Sequence, residues 1–268
     1  MSNTYTVRAS SWGSLFDCAY KWQGEHLLGI RKPAGLRAHL GTAIHAATAA
    51  YDESRLPGGS PIDLDDACGV FVDTLHKPDR DIDYQQDDLK VHDAERIGLR
   101  LNTSYCLDIA PRFQYLAVEA KLQPLEIDCG NGVIVRLTGS MDRSRVSSTA
   151  GGVLIADVKT GSTVIEDGIA KIKGRSPQLG VYQLMYEQGE QVPTKGAQII
   201  ALQTNTRALT AVSAIWDAKR VMVGTEDAPG LIEIAAQMFA SGLFPPNPTS
   251  MLCSPKYCAR WATCPYHE

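Results

Sequence analysis

Residues 153–161, Val-Leu-Ile-Ala-Asp-Val-Lys-Thr-Gly, constrain this chain more than any other stretch. Strand-favouring aliphatic side chains run into a charged end, and Thr160-Gly161 is a stop signal. Successive side chains on a strand point to opposite faces. Asp157 and Lys159 therefore share a face, and Val158 is buried opposite. An acid and an ammonium are fixed side by side where a hydrophobic strand reaches the surface. Alone, such a pair is most often a surface ion pair of small energetic worth, so its meaning depends on what else the chain brings to it.

A second strand-like run, Leu137-Thr138-Gly139-Ser140-Met141-Asp142, ends in another carboxylate. Two carboxylates from neighbouring strands can hold a divalent metal, and a lysine beside them can orient a water or balance an oxyanion. Strands are expected at 115–122, 125–129, 133–138, 141–146, 152–159, 197–204 and 208–215, with Asn131-Gly132 as a hairpin turn. Helices are expected at 10–28, around 40–50, at 63–77, at 87–110, from Pro177 onward and at 218–241. Residues 161–176 read as a mobile loop or short helix. On the second helix His45 shares a face with Gly41 and Ala49, and Gly41 and Ala43 allow close packing. Cys18 falls in the middle of the first helix. On the helix after Pro177, Gln178 and Tyr182 stack one turn apart. The order predicts one α/β domain over residues 1–268, a mixed central sheet flanked by helices.

Composition excludes some classes. No apolar run reaches the roughly 18 residues of a membrane span. The N-terminus has neither a basic nor an apolar signal region, so a cytoplasmic location is expected. The net charge of -4 does not advertise a nucleic-acid binder, although basic residues cluster locally: Arg31, Lys32 and Arg37; Arg143 and Arg145; Lys171, Lys173 and Arg175. The acidic run at 78–83 reads as a solvated loop. The seven cysteines are an odd number, which argues against a disulfide framework. Cys253, Cys258 and Cys264 crowd into the tail, a density that suits a soft metal or a cluster. Zinc would want a fourth ligand, and His267 is nearby.

Four pieces then occur in a telling order: Gly41-Thr42-Ala43-Ile44-His45, Gly139-Ser140-Met141-Asp142, Asp157-Val158-Lys159-Thr160-Gly161 and Gln178-Leu179-Gly180-Val181-Tyr182. Spanning residues 41–182, they resemble the RecB-like branch of the PD-(D/E)XK nucleases, with a restriction-endonuclease-like fold. The resemblance implies that His45, Asp142, Asp157 and the carbonyl of Val158 ligate Mg²⁺ or Mn²⁺. It implies that Lys159 positions or activates the attacking water, and that Gln178 and Tyr182 contact DNA near the scissile phosphate. Hard oxygen ligands suit Mg²⁺, and an imidazole makes Mn²⁺ a good substitute. Some relatives of this branch carry a [4Fe–4S] cluster, and Cys18, Cys253, Cys258 and Cys264 match its ligands, although the gap between Cys253 and Cys258 is four residues where two is usual. Such a cluster would clasp the chain ends.

The resemblance implies a DNA nuclease, an exonuclease of recombination or repair. At this size it suits a phage or mobile element, with a single-strand annealing protein or other recombination factor as the expected partner and homo-oligomers compatible with it. DNA would run past Arg31, Lys32 and Arg37 and past the loop carrying Lys171, Lys173 and Arg175. A non-catalytic Fe–S scaffold on the same fold is the alternative, and a redox protein leaves the acids unexplained.

Overall fold

The run at 153–161 is a strand, and it is the middle one of a five-stranded sheet. The computed structural model describes residues 2–267; the end residues of the predicted domain, Met1 and Glu268, lie outside that range. In chain order the elements used below are β1 (Asn3–Arg8), α1 (Trp12–Asp17), α2 (Ala19–His26), α3 (Leu36–Ser54), α4 (Leu64–His76), α5 (Val91–Ser104), β2 (Gln114–Lys121), β3 (Leu125–Asp128), β4 (Val133–Thr138), β5 (Ser140–Ser147), β6 (Gly152–Gly161), α6 (Ser176–Glu190), β7 (Thr194–Gln203), β8 (Thr210–Val212) and α7 (Leu231–Ser241). The large sheet runs β8-β7-β6-β5-β2. β7 is parallel to β6 and the other pairs are antiparallel, so the sheet is mixed as expected.

Alternation along β6 sorts its side chains onto two faces. Ala156 and Val158 pack with Leu40, Ala43, Ile44 and Ala47 of α3 and with apolar residues of α4 and α5. Ile155 packs on the other face with Val181, Tyr182 and Met185 of α6 and with Trp12, Leu15 and Trp22. Burying one such aliphatic side chain is worth about 1.5–3 kcal/mol, so helices on both sides hold β6 in place.

The structure departs from the sequence expectations at five points. The helix expected at 10–28 is broken at Cys18, whose backbone is extended (φ -147°, ψ 96°) between α1 and α2. The strands at 125–128 and 133–138 do not continue the central sheet. They form a separate three-stranded sheet with β1, a strand that short polar residues had hidden. Residues 161–176 hold a small hairpin, Ile165–Glu166 against Ile169–Ala170. The helix expected at 218–241 is one turn (Arg220–Val223), a tiny hairpin, then α7. Gly224, at φ 77°, and Pro229 before Gly230 explain the interruption. Finally, Arg143 and Arg145 are buried at 0% and 7% exposure and form no basic surface cluster.

The junction between α6 and β7 is fixed by one carboxylate. Glu187 accepts from the Thr194 backbone N–H (2.9 Å), from Thr194 Oγ1 (2.6 Å) and from Lys219 Nζ (2.8 Å). Burial pushes its pKa up, but these donors outweigh it and the net shift is downward. A depressed carboxylate pKa stabilises the fold above the unfolded value and loses that contribution as pH falls through the folded value. Glu187→Gln is therefore expected to lower stability by about 1–3 kcal/mol near neutral pH. In denaturant titrations the gap from wild type should narrow below about pH 4.5.

Candidate metal centre

The β5–β6 ladder runs from Ser147↔Gly152 to Arg143↔Ala156 and ends one pair short of Asp142 and Asp157. Beyond that point the Val158 N–H donates to Asp142 Oδ2 (2.8 Å). A side chain thus takes the place of a ladder partner, and a slot opens at the end of the sheet. Asp157 is 0% exposed on β6. Lys159 Nζ forms a close ion pair with Asp157 Oδ2 at 2.5 Å. Asp157 Oδ1 accepts only a long bond, 3.4 Å, from Gln178 Nε2. The buried carboxylate thus faces the Lys159 ammonium on one oxygen and the Gln178 amide on the other.

His45 arrives from α3. One turn earlier a Cβ on Gly41 would lie 2.6 Å from Thr160 Oγ1. The bare backbone at Gly41 lets α3 approach the end of β6, which sets His45 Nδ1 3.5 Å from Asp142 Oδ2. Glu119 arrives from β2. Its neighbours pair as Val118↔Arg143 and Ala120↔Met141, so Glu119 lies across from Asp142. Its φ of 47° is left-handed, a conformation that costs a non-glycine residue about 1–3 kcal/mol and persists where the surroundings enforce it. Arg143 Nη1, 3.2 Å from Glu119 Oε1, is part of that enforcement. Single ligand atoms of His45, Glu119 and Asp142 all lie within 4.8 Å of one another.

The electrostatics favour a cation. Burial raises the pKa of Asp142, against Lys159 and Arg143. Burial likewise lifts Asp157 to about 6, with Lys159 opposing and Asp142 adding to the rise. Burial, then Asp142, also pushes Glu119 up. His45 is held down at about 4 by burial and by the Lys159 ammonium, with Asp157 pulling the other way, so its imidazole is neutral at physiological pH. Glu119, Asp142 and the neutral imidazole of His45 are a group of the kind that can hold a divalent ion, and Asp157, paired with Lys159, lies outside that group.

The structure brings His45, Asp142, Asp157, Val158, Lys159 and Gln178 together. Tyr182 stands differently from the expectation. It is 4% exposed, and its hydroxyl accepts from Gln178 Nε2 (3.1 Å). It orients the amide and does not itself face solvent. Lys171 pairs with Glu166 at 3.5 Å, while Lys173 and Arg175 lead into α6 just before Gln178. Glu119 was missed, being read only as a sheet residue. Its signal was positional: once β2 and β5 pair, it lies beside Asp142.

Cys18, Cys253, Cys258 and Cys264 line one small pocket between α2 and the tail. The extended break at Cys18 carries that thiol into the wall of the pocket. The tail is also tied down by protein contacts. Arg260 stacks 3.4 Å over the Tyr20 ring and donates to Tyr20 O, and Ser250 Oγ donates to Asp17 (2.6 Å).

The site is thus an α/β protein's mixed sheet whose central strands splay around acids, an imidazole and a lysine. The comparison with known families sharpens this. The chain belongs to the PD-(D/E)XK nuclease superfamily, whose family model matches residues 9–265. That membership points to a metal-dependent nuclease. No curated protein matches the chain. Among the described residues no helix is long and apolar enough to cross a membrane.

Proposed function

We propose that this protein is a Mg²⁺- or Mn²⁺-dependent DNA nuclease of the RecB-like kind, acting as an exonuclease in recombination or repair. The observation that carries the reading is the meeting of Asp142, Asp157, His45 and Lys159 at the open end of the β5–β6 pair. His45, Glu119, Asp142, Asp157 and the Val158 carbonyl are the groups that would hold the metal. On a strand the N–H and C=O of one residue point to the same side, and the Val158 N–H already points at Asp142. When bound, the ion would lower the pKa of a water and neutralise charge building on the phosphate.

The chain's own groups do the rest. The Lys159 ammonium, beside Asp157, orients the attacking water and meets negative charge as the phosphate is attacked. The Gln178 amide, held by Tyr182, donates toward a phosphate oxygen. A phage or mobile-element setting, with a strand-annealing protein or other recombination factor as partner, belongs to this reading. The test is incubation of purified protein with end-labelled linear DNA in Mn²⁺, Mg²⁺ or EDTA. Cleavage should need the metal and fall at least about 10²-fold in Lys159→Ala. Equal cleavage in the variant overturns the assignment.

The four cysteines are proposed to hold a [4Fe–4S] cluster with a structural role. What supports this reading is that Cys18, Cys253, Cys258 and Cys264 all line one pocket. Cys18→Ser is expected to remove the visible absorbance of anaerobically purified protein and to lower the melting temperature. Unchanged colour would show that Cys18 is not a ligand.

A further inference from the structure

The loop between Cys253 and Cys258, residues 254–257, is not a bare spacer. It lies across the segment that enters α3. Lys32 Nζ donates to Pro255 O, and Gln86 Nε2 donates to Lys256 O at 3.2 Å. Arg31, Lys32, Ala34, Gly35, Ala38, Lys256 and Tyr257 line one groove there, with Glu25, His26 and Gln86. Its carboxylates are already engaged. Glu25 pairs with Lys21 at 2.7 Å, and the neighbouring Asp87 takes Lys256 at 3.2 Å and the Arg37 backbone N–H at 2.9 Å. Among the described residues Arg31 and Lys32 contact carbonyl oxygens only, Arg31 to Glu25 O at 3.1 Å, with no carboxylate paired to either. Tyr257 is 42% exposed, and Lys256 Nζ sits 5.2 Å from its ring centroid.

The groove is connected to the metal centre by one face of α3. Ala38, Thr42 and His45 follow at i, i+4 and i+7 and lie on one side of the helix, about 10 Å from first to last. Ala38 is exposed in the groove. Arg80 Nη2 donates to Thr42 Oγ1 at 3.1 Å, which puts another cation midway along the face. An exposed aromatic ring flanked by cations, on a track that ends at a phosphate-cleaving centre, has the chemistry of a site for unpaired nucleic acid. Bases stack on the ring and cations meet the backbone. A paired duplex has no free base faces to offer Tyr257.

We propose that the Ser254–Tyr257 loop, with Arg31 and Lys32, holds an unpaired strand of the substrate and aligns it along α3 toward His45. The inference rests on the nuclease reading for its endpoint. It also gives the long Cys253–Cys258 spacing a purpose: the tail, held by Arg260 on Tyr20 and by Ser250 on Asp17, presents the loop.

The test is binding of fluorescein-labelled oligo-dT, and of a duplex of equal length, by anisotropy in EDTA, where nothing is cleaved. Tyr257→Ala is expected to weaken oligo-dT binding about tenfold, the size of one base–aromatic stack, and to leave duplex binding within twofold. Arg31→Ala with Lys32→Ala should weaken oligo-dT binding and flatten its salt dependence by about one to two phosphate contacts. Far-ultraviolet circular dichroism and the visible spectrum of each variant check that fold and clasp are intact. Unchanged oligo-dT affinity in both variants, or equal losses for dT and duplex in Tyr257→Ala, overturns the proposal. Failure of the nuclease reading would show separately, as absence of metal-dependent cleavage by the wild-type protein, whatever the anisotropy gives.

Discussion

Asp157→Asn is expected to lower metal-dependent cleavage by about 10³-fold or more, the scale seen when a charge-stabilising group is removed from a preorganised site. Asparagine keeps the shape of the side chain and can still accept from Gln178. What it loses is the charge. Asp157 is fully buried, and burial holds its pKa up at about 6 despite Lys159. Near pH 7 the carboxylate is charged in an environment that disfavours charge, so the metal-free fold bears a penalty that the amide removes. The metal-free variant should therefore melt at the wild-type temperature or slightly above it, a common trade of stability against function at active sites. Ligand linkage gives a second readout. Mn²⁺ at 100 times its dissociation constant stabilises a protein by about 2.7 kcal/mol. Wild type should show a rise in melting temperature of that origin, and Asp157→Asn should show little. If the variant cleaves like wild type, or gains as much from Mn²⁺, the centre lies elsewhere.

Much of the site was legible because its residues sit at fixed spacings on regular elements. The two-residue step from Asp157 to Lys159 needs only strand periodicity, and the four-residue step from Gly41 to His45 needs only a helix. Gln178 and Tyr182 followed by the same rule, yet their roles could not: that the phenol is buried and the amide presented depends on Gly139, where a Cβ would meet the Tyr182 ring at 2.8 Å. Glu119 was hidden because its place is set by which strand β2 pairs with and by a local left-handed residue, neither of which is written in side-chain alternation. Strand β1 was hidden for a related reason. Asn3–Arg8 carries few apolar residues, and it is a strand because β4 offers it a parallel partner. The break at Cys18 also has no local helix breaker, since Phe16, Asp17 and Ala19 tolerate a helix; the tail packed against Tyr20 and Asp17 supplies the reason. In each case the missing information is tertiary.

Arg143→Met is expected to be the most destabilising single substitution near the site, by about 3–5 kcal/mol, because it strands a buried carboxylate. Arg143 is fully buried, and its Nε meets Asp52 Oδ2 at 2.7 Å. Asp52, on α3, is fully buried too and also accepts from the Tyr105 hydroxyl at 2.5 Å. The remaining donors of Arg143 reach Glu119, the Asp142 carbonyl (2.8 Å) and Thr48 (3.4 Å). One guanidinium thus ties the helix that carries His45 to the two strands that carry Glu119 and Asp142. Burial already pushes the Asp52 pKa upward, with Arg143 as the chief opposing influence, so losing the arginine drives Asp52 toward its protonated form. Denaturant unfolding should show the loss, and Asp52→Asn in the same chain should recover part of it, since deleting both charges is far less costly than deleting one. Stability and activity separate in that double variant. Restored folding does not restore the hold on Glu119, so Mn²⁺ affinity and cleavage should stay low. A double variant that regains both would mean that Arg143 serves the fold alone.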